Sequence, residues 1–549
     1  MNKLYLYSQS IYKLTTALGK LSIRSIAFLI FIFIGILSAQ QAYNLEVIFK
    51  KSNWNLDSIR SYGIALSSAG DFNQDGYDDI VVSVFFGNWY GYGYIFYGGP
   101  VMDTLPDLVL KGEGEGQPLM SLASGDIKND GISDVMMGQG QAGNWGKVFV
   151  YFGGSNTDSL PDMILNGQSL NTWPFGCAVA CGDLNGDSYK DIIVGSYYNG
   201  DLHGRVYIYY GGVLLDTVPD IIINGHGVEA FGISVGSGGD LNGDGFEDLV
   251  VGADENSEAY SGAGKVYVFF GGNPMDTVPD CWLHGEGVNH FLGWFNVDIL
   301  QNDTGYARLV TGTMLWPNGY MSANNGKVYT MDGGLPMDTL TDWWRIGEND
   351  TSFLGAWSAQ GGDLEADSWG DVIVGAPGRT GMNPGGVGNV WTAGISIDTV
   401  LDAWLTNNNL IYYAIGSRVA SAGDVNADGR DEVMFSNCAA DSNRTVWVCR
   451  YTGPGIGEDA VKGVRTGVRF TLSPNPVTRF LNILMNQNLG GRKVDISVYD
   501  ISGREVAYGH LAKGVTVYSI DTESWPAGVY FVEVCAGDIS GIQKVIKIK

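Results

Sequence analysis

Bases are scarce in this chain. Its 549 residues include 32 Lys+Arg against 59 Asp+Glu, a formal net charge of −27. The deficit sits in residues 40–460, with 17 bases and 52 acids; residues 1–39 hold four bases and no acid, and residues 461–549 hold 11 bases and 7 acids. Such an acidic surface repels nucleic acid and anionic membrane and suits cations or basic partners. Nucleic-acid binding is thereby excluded. Proline is sparse, 16 residues against 80 glycines, and no stretch carries the apolar period of a helix. Glycine-rich, aromatic-rich and proline-poor sequence predicts many short strands joined by tight turns. A hydrophobic content of 45% argues against disorder.

Long apolar runs are missing as well. The longest, Ile26 to Leu37, has twelve residues, whereas crossing the hydrocarbon layer takes about 20. Lys20 and Arg24 precede it and Ser38-Ala39-Gln40 follow, so residues 1–39 read as a signal peptide cut after Ala39, leaving no membrane span in the mature chain. Export places the six cysteines in an oxidising compartment, yet their spacing does not form a disulfide framework. Cys177 and Cys181, four apart on one apparent strand, would have Cα atoms about 13 Å apart, beyond disulfide reach. Cys438 and Cys449 flank a probable hairpin loop and are the one pair the spacing allows.

Self-similarity organises residues 45–451. The clearest unit reads FGISVGSGGDLNGDGFEDLVVGA from Phe231, then GKVYVFFGG from Gly264 and MDTVPDCWLHG from Met275. Carboxylate loops open at Asp71, Asp126, Asp183, Asp240, Asp298, Asp363 and Asp424, with spacings of 55, 57, 57, 58, 65 and 61 residues. Each unit holds four apolar, β-branched or aromatic runs, read as buried strands. Seven four-stranded units predict an all-β fold, a seven-bladed β-propeller over residues 40–451, because radial closure leaves only short protected edges. The ends support closure: Leu45–Phe49 matches a fourth strand, while the seventh unit stops after its third strand at Arg450. A linear solenoid would leave two unpaired apolar edges.

The loops carry the chemistry. DFNQDGYDD places side-chain oxygens at positions 1, 3, 5 and 9 (Asp71, Asn73, Asp75, Asp79), with the Tyr77 carbonyl at position 7. Hard Ca²⁺ takes six to eight oxygens, and alternate residues of a tight loop converge on one point. The set recurs at Asp183, Asn185, Asp187, Tyr189, Asp191, and at Asp240, Asn242, Asp244, Phe246, Asp248. It recurs again at Asp363, Glu365, Asp367, Trp369, Asp371, and at Asp424, Asn426, Asp428, Arg430, Glu432. Position 12 falls on a strand residue, Val82 or Val194, so an EF-hand is excluded. One such loop alone reads equally well as an Asx-rich turn; five in frame predict about five structural Ca²⁺ sites. Lys128 replaces the third oxygen of the second loop, leaving that site weak or empty. The fifth, read as opening at Asp298 with an insertion, has Arg308 at its closing position and is expected to bind nothing.

Phe175-Gly176, Phe231-Gly232, the DLNGDG-type loops and the turn Val374–Pro377 together resemble the FG-GAP repeats of integrin α-subunit propellers. The resemblance implies seven blades with Ca²⁺ in the loops between first and second strands. Its members include adhesion receptors, lectin-like binders and modules attached to enzymes, so fold alone names no ligand. After a linker, residues 452–467, residues 468–549 alternate strands and turns as a small β-sandwich of immunoglobulin-like type. Pro474-Asn475-Pro476, Asp500 to Arg504, Gly528-Val529-Tyr530 and the basic end Lys544 to Lys549 look like the type A sorting domain of type IX secretion. This implies a type IX secretion partner and a secreted or outer-surface destination.

No catalytic residue is assigned. Gly232-Ile-Ser234-Val-Gly236 spells a nucleophile elbow, but it sits on a strand rather than at a strand–turn–helix junction. The loops between second and third strands, opposite the carboxylate loops, carry Trp89, Tyr90, Trp145, Tyr197, Tyr198 and Trp316. Exposed rings stack on sugars or anchor peptide side chains, and rings folded down on the core would not. The reading is a non-enzymatic Ca²⁺-binding module for adhesion to an extracellular glycan or protein. Two others stay open on residues alone: a polysaccharide lyase or hydrolase, and a structural surface protein without specific ligand.

Overall fold

The computed structural model describes residues 40–547 outside 53–58, 87–90, 113–120, 141–144, 156, 168–173, 199–202, 295–296, 302–305, 318–323, 338–340, 348–351, 379–386, 392–400, 408–414, 438–443, 454–469, 474–476, 486–493, 501–504, 512–516, 527 and 537–538. The chain divides into two compact units near Ile456.

The first unit is a seven-bladed propeller of antiparallel sheets. Blade 3 shows the pattern: Ala178–Gly182 innermost, then Asp191–Ser196, Arg205–Tyr209 and Ile221–Asn224 outermost, each paired to the next. Second strands are buried along their length, as in Asp191–Ser196 and Leu249–Ala253, because neighbouring blades cover both faces. That is why they read as unbroken apolar runs rather than alternating ones.

Two glycines per seam set the blade spacing. Gly232, after the buried Phe231, has φ +84, and a Cβ added to Gly195 would stand 2.2 Å from the Gly232 carbonyl oxygen. The pairs Gly138–Gly176 and Gly252–Gly293 approach equally, and Gly375–Gly416 more closely still. The phenylalanine before the seam packs inward, Phe175 on Tyr207 and Phe231 on Tyr267, with ring centroids 5.3 and 5.5 Å apart.

The ring closes as the ends of the repeats suggested. Strand Leu45–Ser52 pairs with Thr445–Tyr451 and supplies the fourth strand of blade 7. Sequence reasoning missed a second clasp: Gln40–Tyr43 adds a fifth strand to blade 6 along Ala403–Asn407. Asn44 (φ 51) turns the chain between the two blades, and its side chain donates to the Asp402 carbonyl.

The cysteine pairing is corrected. Cys449 is a free, fully buried thiol whose Cα partner is Val433. Cys438 lies outside the described residues. Cys177 and Cys181 are free too. Burial pushes the Cys177 thiol up to about 12, which keeps it unreactive.

The second unit has two antiparallel sheets, Phe470–Ser473/Phe480–Met485/Val517–Asp521 and Glu505–Leu511/Val494–Asp500/Gly528–Ala536/Ile539–Lys547. They enclose Leu481, Ile483, Ile496, Val498, Val532 and Val534, all fully buried, as in a small β-sandwich.

Candidate functional site

Antiparallel strand order puts the first-to-second and third-to-fourth turns of every blade on one face of the propeller. The carboxylate loops therefore form one ring. Each is a wound turn in which the first aspartate accepts from its own backbone: Asp75 N and Gly76 N donate to Asp71 Oδ1 and Oδ2 at 2.9 and 3.0 Å. Asp183, Asp240, Asp363 and Asp424 repeat the arrangement. The third residue, Asn73, Asn185 or Asn242, accepts from the fifth residue's N–H at 2.8–2.9 Å. The fifth, Asp75, Asp187, Asp244 or Asp367, accepts from the N–H of Tyr77, Tyr189, Phe246 or Trp369 at 3.0 Å.

The ninth residue does something the pattern did not reveal. Asp79, Asp191 and Asp248 are wholly buried. Their Oδ2 accepts from the loop's second residue, Phe72, Leu184 or Leu241, at 3.1, 2.9 and 2.6 Å. Their Oδ1 accepts from the first glycine after the third strand, Gly98, Gly211 or Gly271, at 2.8–2.9 Å. Asp371 and Glu432 make the first of these bonds. Burial pushes each of Asp79, Asp191 and Asp248 up to about 7, backbone donors pull down, and the first and fifth aspartates push up again. Burial pushes Glu432 to about 8, with Asp428 and Asp424 adding to it. Burial and the neighbouring acids thus disfavour the charged form of these carboxylates, which a bound cation would favour.

Adjacent loops are tied together by an acid at the eighth position, a second feature missed. Asp424 N donates to Asp78, Asp183 N to Glu247 and Asp363 N to Asp431, at 2.9, 2.7 and 2.9 Å. An acid just before the ninth residue, as in YDD, FEDL and RDEV, was the available signal.

The fifth loop is corrected. Asp298 lies within strand Val297–Leu300 and accepts from Ile299 N and Gln360 N rather than opening a loop. Ala307 N donates to the Asp240 carbonyl as Glu247 N does to that of Asp183. This makes Arg308 the ninth residue and moves the opening to Leu300, so the loop itself carries no insertion.

The donor set fits a hard cation in kind: Asp, Asn and Glu oxygens with no nitrogen or sulfur ligand. Among the described residues no three His, Cys, Asp or Glu groups are drawn together closely enough to hold an ion.

On the opposite face, Trp145 and Tyr198 are each 40% exposed. Tyr197 is partly buried against the core between blades 3 and 4. Trp316 is half-buried and donates from Nε1 to Glu286 at 3.0 Å, beside Lys327. Trp89 and Tyr90 lie outside the described residues. Ser234 of the apparent nucleophile elbow is buried in strand Phe231–Gly236 and donates to the Gly293 carbonyl at 2.6 Å, as a seam residue rather than a nucleophile.

The fold and its loops define an integrin-α-like β-propeller built of FG-GAP repeats. The FG-GAP repeat family matches residues 231–269, and the family described as the secretion system C-terminal sorting domain matches residues 471–549. Integrin alpha-3 of Mus musculus is 28% identical over 263 residues, covering 45% of this chain and 23% of that protein. Integrin alpha-5 of Xenopus laevis is 32% identical over 218 residues, 36% of this chain and 20% of that protein. Integrin alpha-7 of Mus musculus reaches 38% over 171 residues, 30% and 14% respectively. The chain thus spans less than a quarter of the length of these relatives. Its C-terminal sorting domain makes it a secreted or surface-located propeller.

Proposed function

We propose that this secreted propeller is an adhesion-type module, stabilised by calcium in five loops, that binds an extracellular glycan or protein through the face carrying Trp145 and Tyr198. The observation that carries the metal reading is the buried ninth carboxylate of loops 1, 3, 4 and 7, which faces two further acids of its own loop. A bound Ca²⁺ would neutralise that charge, held by the first, third, fifth and ninth side chains and the seventh carbonyl. The chain's own residues already wind the loop, so the ion adds stability to a turn that forms without it.

The ninth and fifth positions therefore separate in experiment. Asp244→Ala is expected to lower the melting temperature in calcium and to change it little in chelator. Asp248→Ala strands the buried N–H of Leu241, costing about 1–3 kcal/mol, and removes the partner of the part-buried Gly271 N–H, so it should lower it in both. Thermal melts of both variants with and without chelator check this, and equal losses for Asp244→Ala in the two conditions would sink the metal reading.

For the ligand, the exposed rings and the integrin likeness support recognition over a purely structural role. Glycan-array and surface-protein binding by the full chain should fall at least tenfold in a Trp145→Ala/Tyr198→Ala variant with unchanged melting temperature. A blank array with folded protein would favour the structural reading.

A further inference from the structure

Loops 2 and 5 lack the metal pattern, and each carries a base where the other loops carry an oxygen donor. Loop 2 keeps the hydrogen-bond frame of loop 1 except the bond to the third side chain, which a lysine cannot accept. Asp130 N and Gly131 N donate to Asp126 Oδ1 and Oδ2 at 3.0 and 2.7 Å, and Ile132 N to Asp130 Oδ1 at 3.2 Å. Ile127 N and Gly153 N donate to Asp134 Oδ2 and Oδ1 at 3.1 and 3.0 Å. Into this frame Lys128 puts its ammonium, 2.9 Å from Asp130 Oδ2, 4.0 Å from Asp134 Oδ1 and 4.5 Å from the centre of the Phe152 ring. In loops 1 and 4 the same outer oxygen of the fifth aspartate takes the amide of Asn73 or Asn242, at 2.9 and 2.8 Å. The lysine thus reaches past the third position to the fifth and ninth carboxylates together.

Blade 5 reaches the same neutrality by another route. Arg308 replaces the buried ninth carboxylate and pairs through Nε with Asp332. Asp332 stands where blades 1 to 4 carry Tyr97, Phe152, Tyr210 and Phe270, and like them its N–H donates to the aspartate ending the next turn. The buried member of the pair is now the cation and the exposed one the carboxylate. Loop 7 offers the contrast. Arg450 comes within 3.6 Å of Asp428 but gives its closer contact to Glu46 of the closing strand, and it is 39% exposed.

We propose that Lys128 and Arg308 are built-in cations that replace a bound metal in blades 2 and 5. These two blades keep their loops wound when calcium is withdrawn. The inference rests on the calcium reading of the other five loops, and it makes loop 2 one substitution away from a sixth metal site.

The test is a calorimetric calcium titration of the full mature chain as wild type, Lys128→Asn and Lys128→Met, with melts in chelator and in excess calcium. Lys128→Asn should bind one more ion per chain than wild type. Its melting temperature should lie several degrees below wild type in chelator and recover in calcium. Lys128→Met, which keeps the stem and removes the charge, should lower the melting temperature equally in both conditions without adding an ion. Wild-type binding with no gained ion in Lys128→Asn, or an unchanged melt for Lys128→Met, overturns the proposal and leaves the calcium reading standing. No calcium binding by wild type overturns both.

Discussion

Gly195→Val is expected to abolish the folded propeller or cut its stability by more than about 4 kcal/mol, the upper range of single substitutions. The first atom a Cβ would meet is the Gly232 carbonyl oxygen, 2.2 Å away. That oxygen is backbone of the next blade's innermost strand and cannot rotate aside. The blades would have to part, and parting two blades of a closed ring strains all seven. Gly227→Val supplies the control, since a Cβ there meets nothing within 4 Å and the residue belongs to an outer turn, although its φ of +77 adds a modest local cost. Urea unfolding followed by tryptophan fluorescence and near-ultraviolet circular dichroism would measure both. A Gly195→Val protein unfolding within about 1 kcal/mol of wild type, the typical size of an average substitution, would show that the seam is looser than its geometry.

The second large effect is expected from removing the closing strand. A mature chain beginning at residue 53 lacks both Gln40–Tyr43 and Leu45–Ser52. Strand Thr445–Tyr451 becomes an open edge, and Phe49, buried and edge-on to Phe96 at 5.1 Å, leaves a cavity between blades 7 and 1. Losing that side chain alone costs about 3–5 kcal/mol, before the lost ladder is counted. The truncated chain should lose its single cooperative calorimetric transition and associate through the exposed edge, which size-exclusion chromatography would detect. A monomer with one sharp transition near that of the intact chain would mean the ring holds without its clasp.

Much of this architecture was legible because propeller blades repeat their constraints in phase. A buried strand between two blades must be apolar on both sides, so DIIVG and DLVVG identify second strands wherever they fall. A missing fourth strand at one end and a spare one at the other then leave one economical arrangement. What stayed hidden were contacts between non-adjacent parts of the repeat. The eighth-position acids Asp78, Glu247 and Asp431 look like ordinary surface charge until the neighbouring loop is in place. The ninth residue was legible as an oxygen donor but not as a staple, because Gly98 lies 19 residues from Asp79. Asp298 misled for a related reason: an aspartate at roughly the right spacing was preferred to Leu300, although the seventh-position aromatic, Tyr306, marked the frame. The packing of Tyr197 is of the same kind, since burial of a loop ring depends on the seam it meets.

The eighth-position acids have a further consequence. Only loops 1, 4 and 7 send such a carboxylate backwards, to loops 7, 3 and 6 respectively; the other loops have Ser133, Lys190, Ala307 and Gly370 at that position. These carboxylates join the five loops of full oxygen pattern in two groups, loops 3 and 4 and loops 6, 7 and 1, while backbone bonds such as Lys190 N and Ala307 N to the Asp126 and Asp240 carbonyls continue the ring between them. The loops bearing Lys128 and Arg308 stand between them. On the calcium reading proposed above, an ion that orders loop 4 would fix the acid gripping loop 3, and occupancy within a group would be coupled.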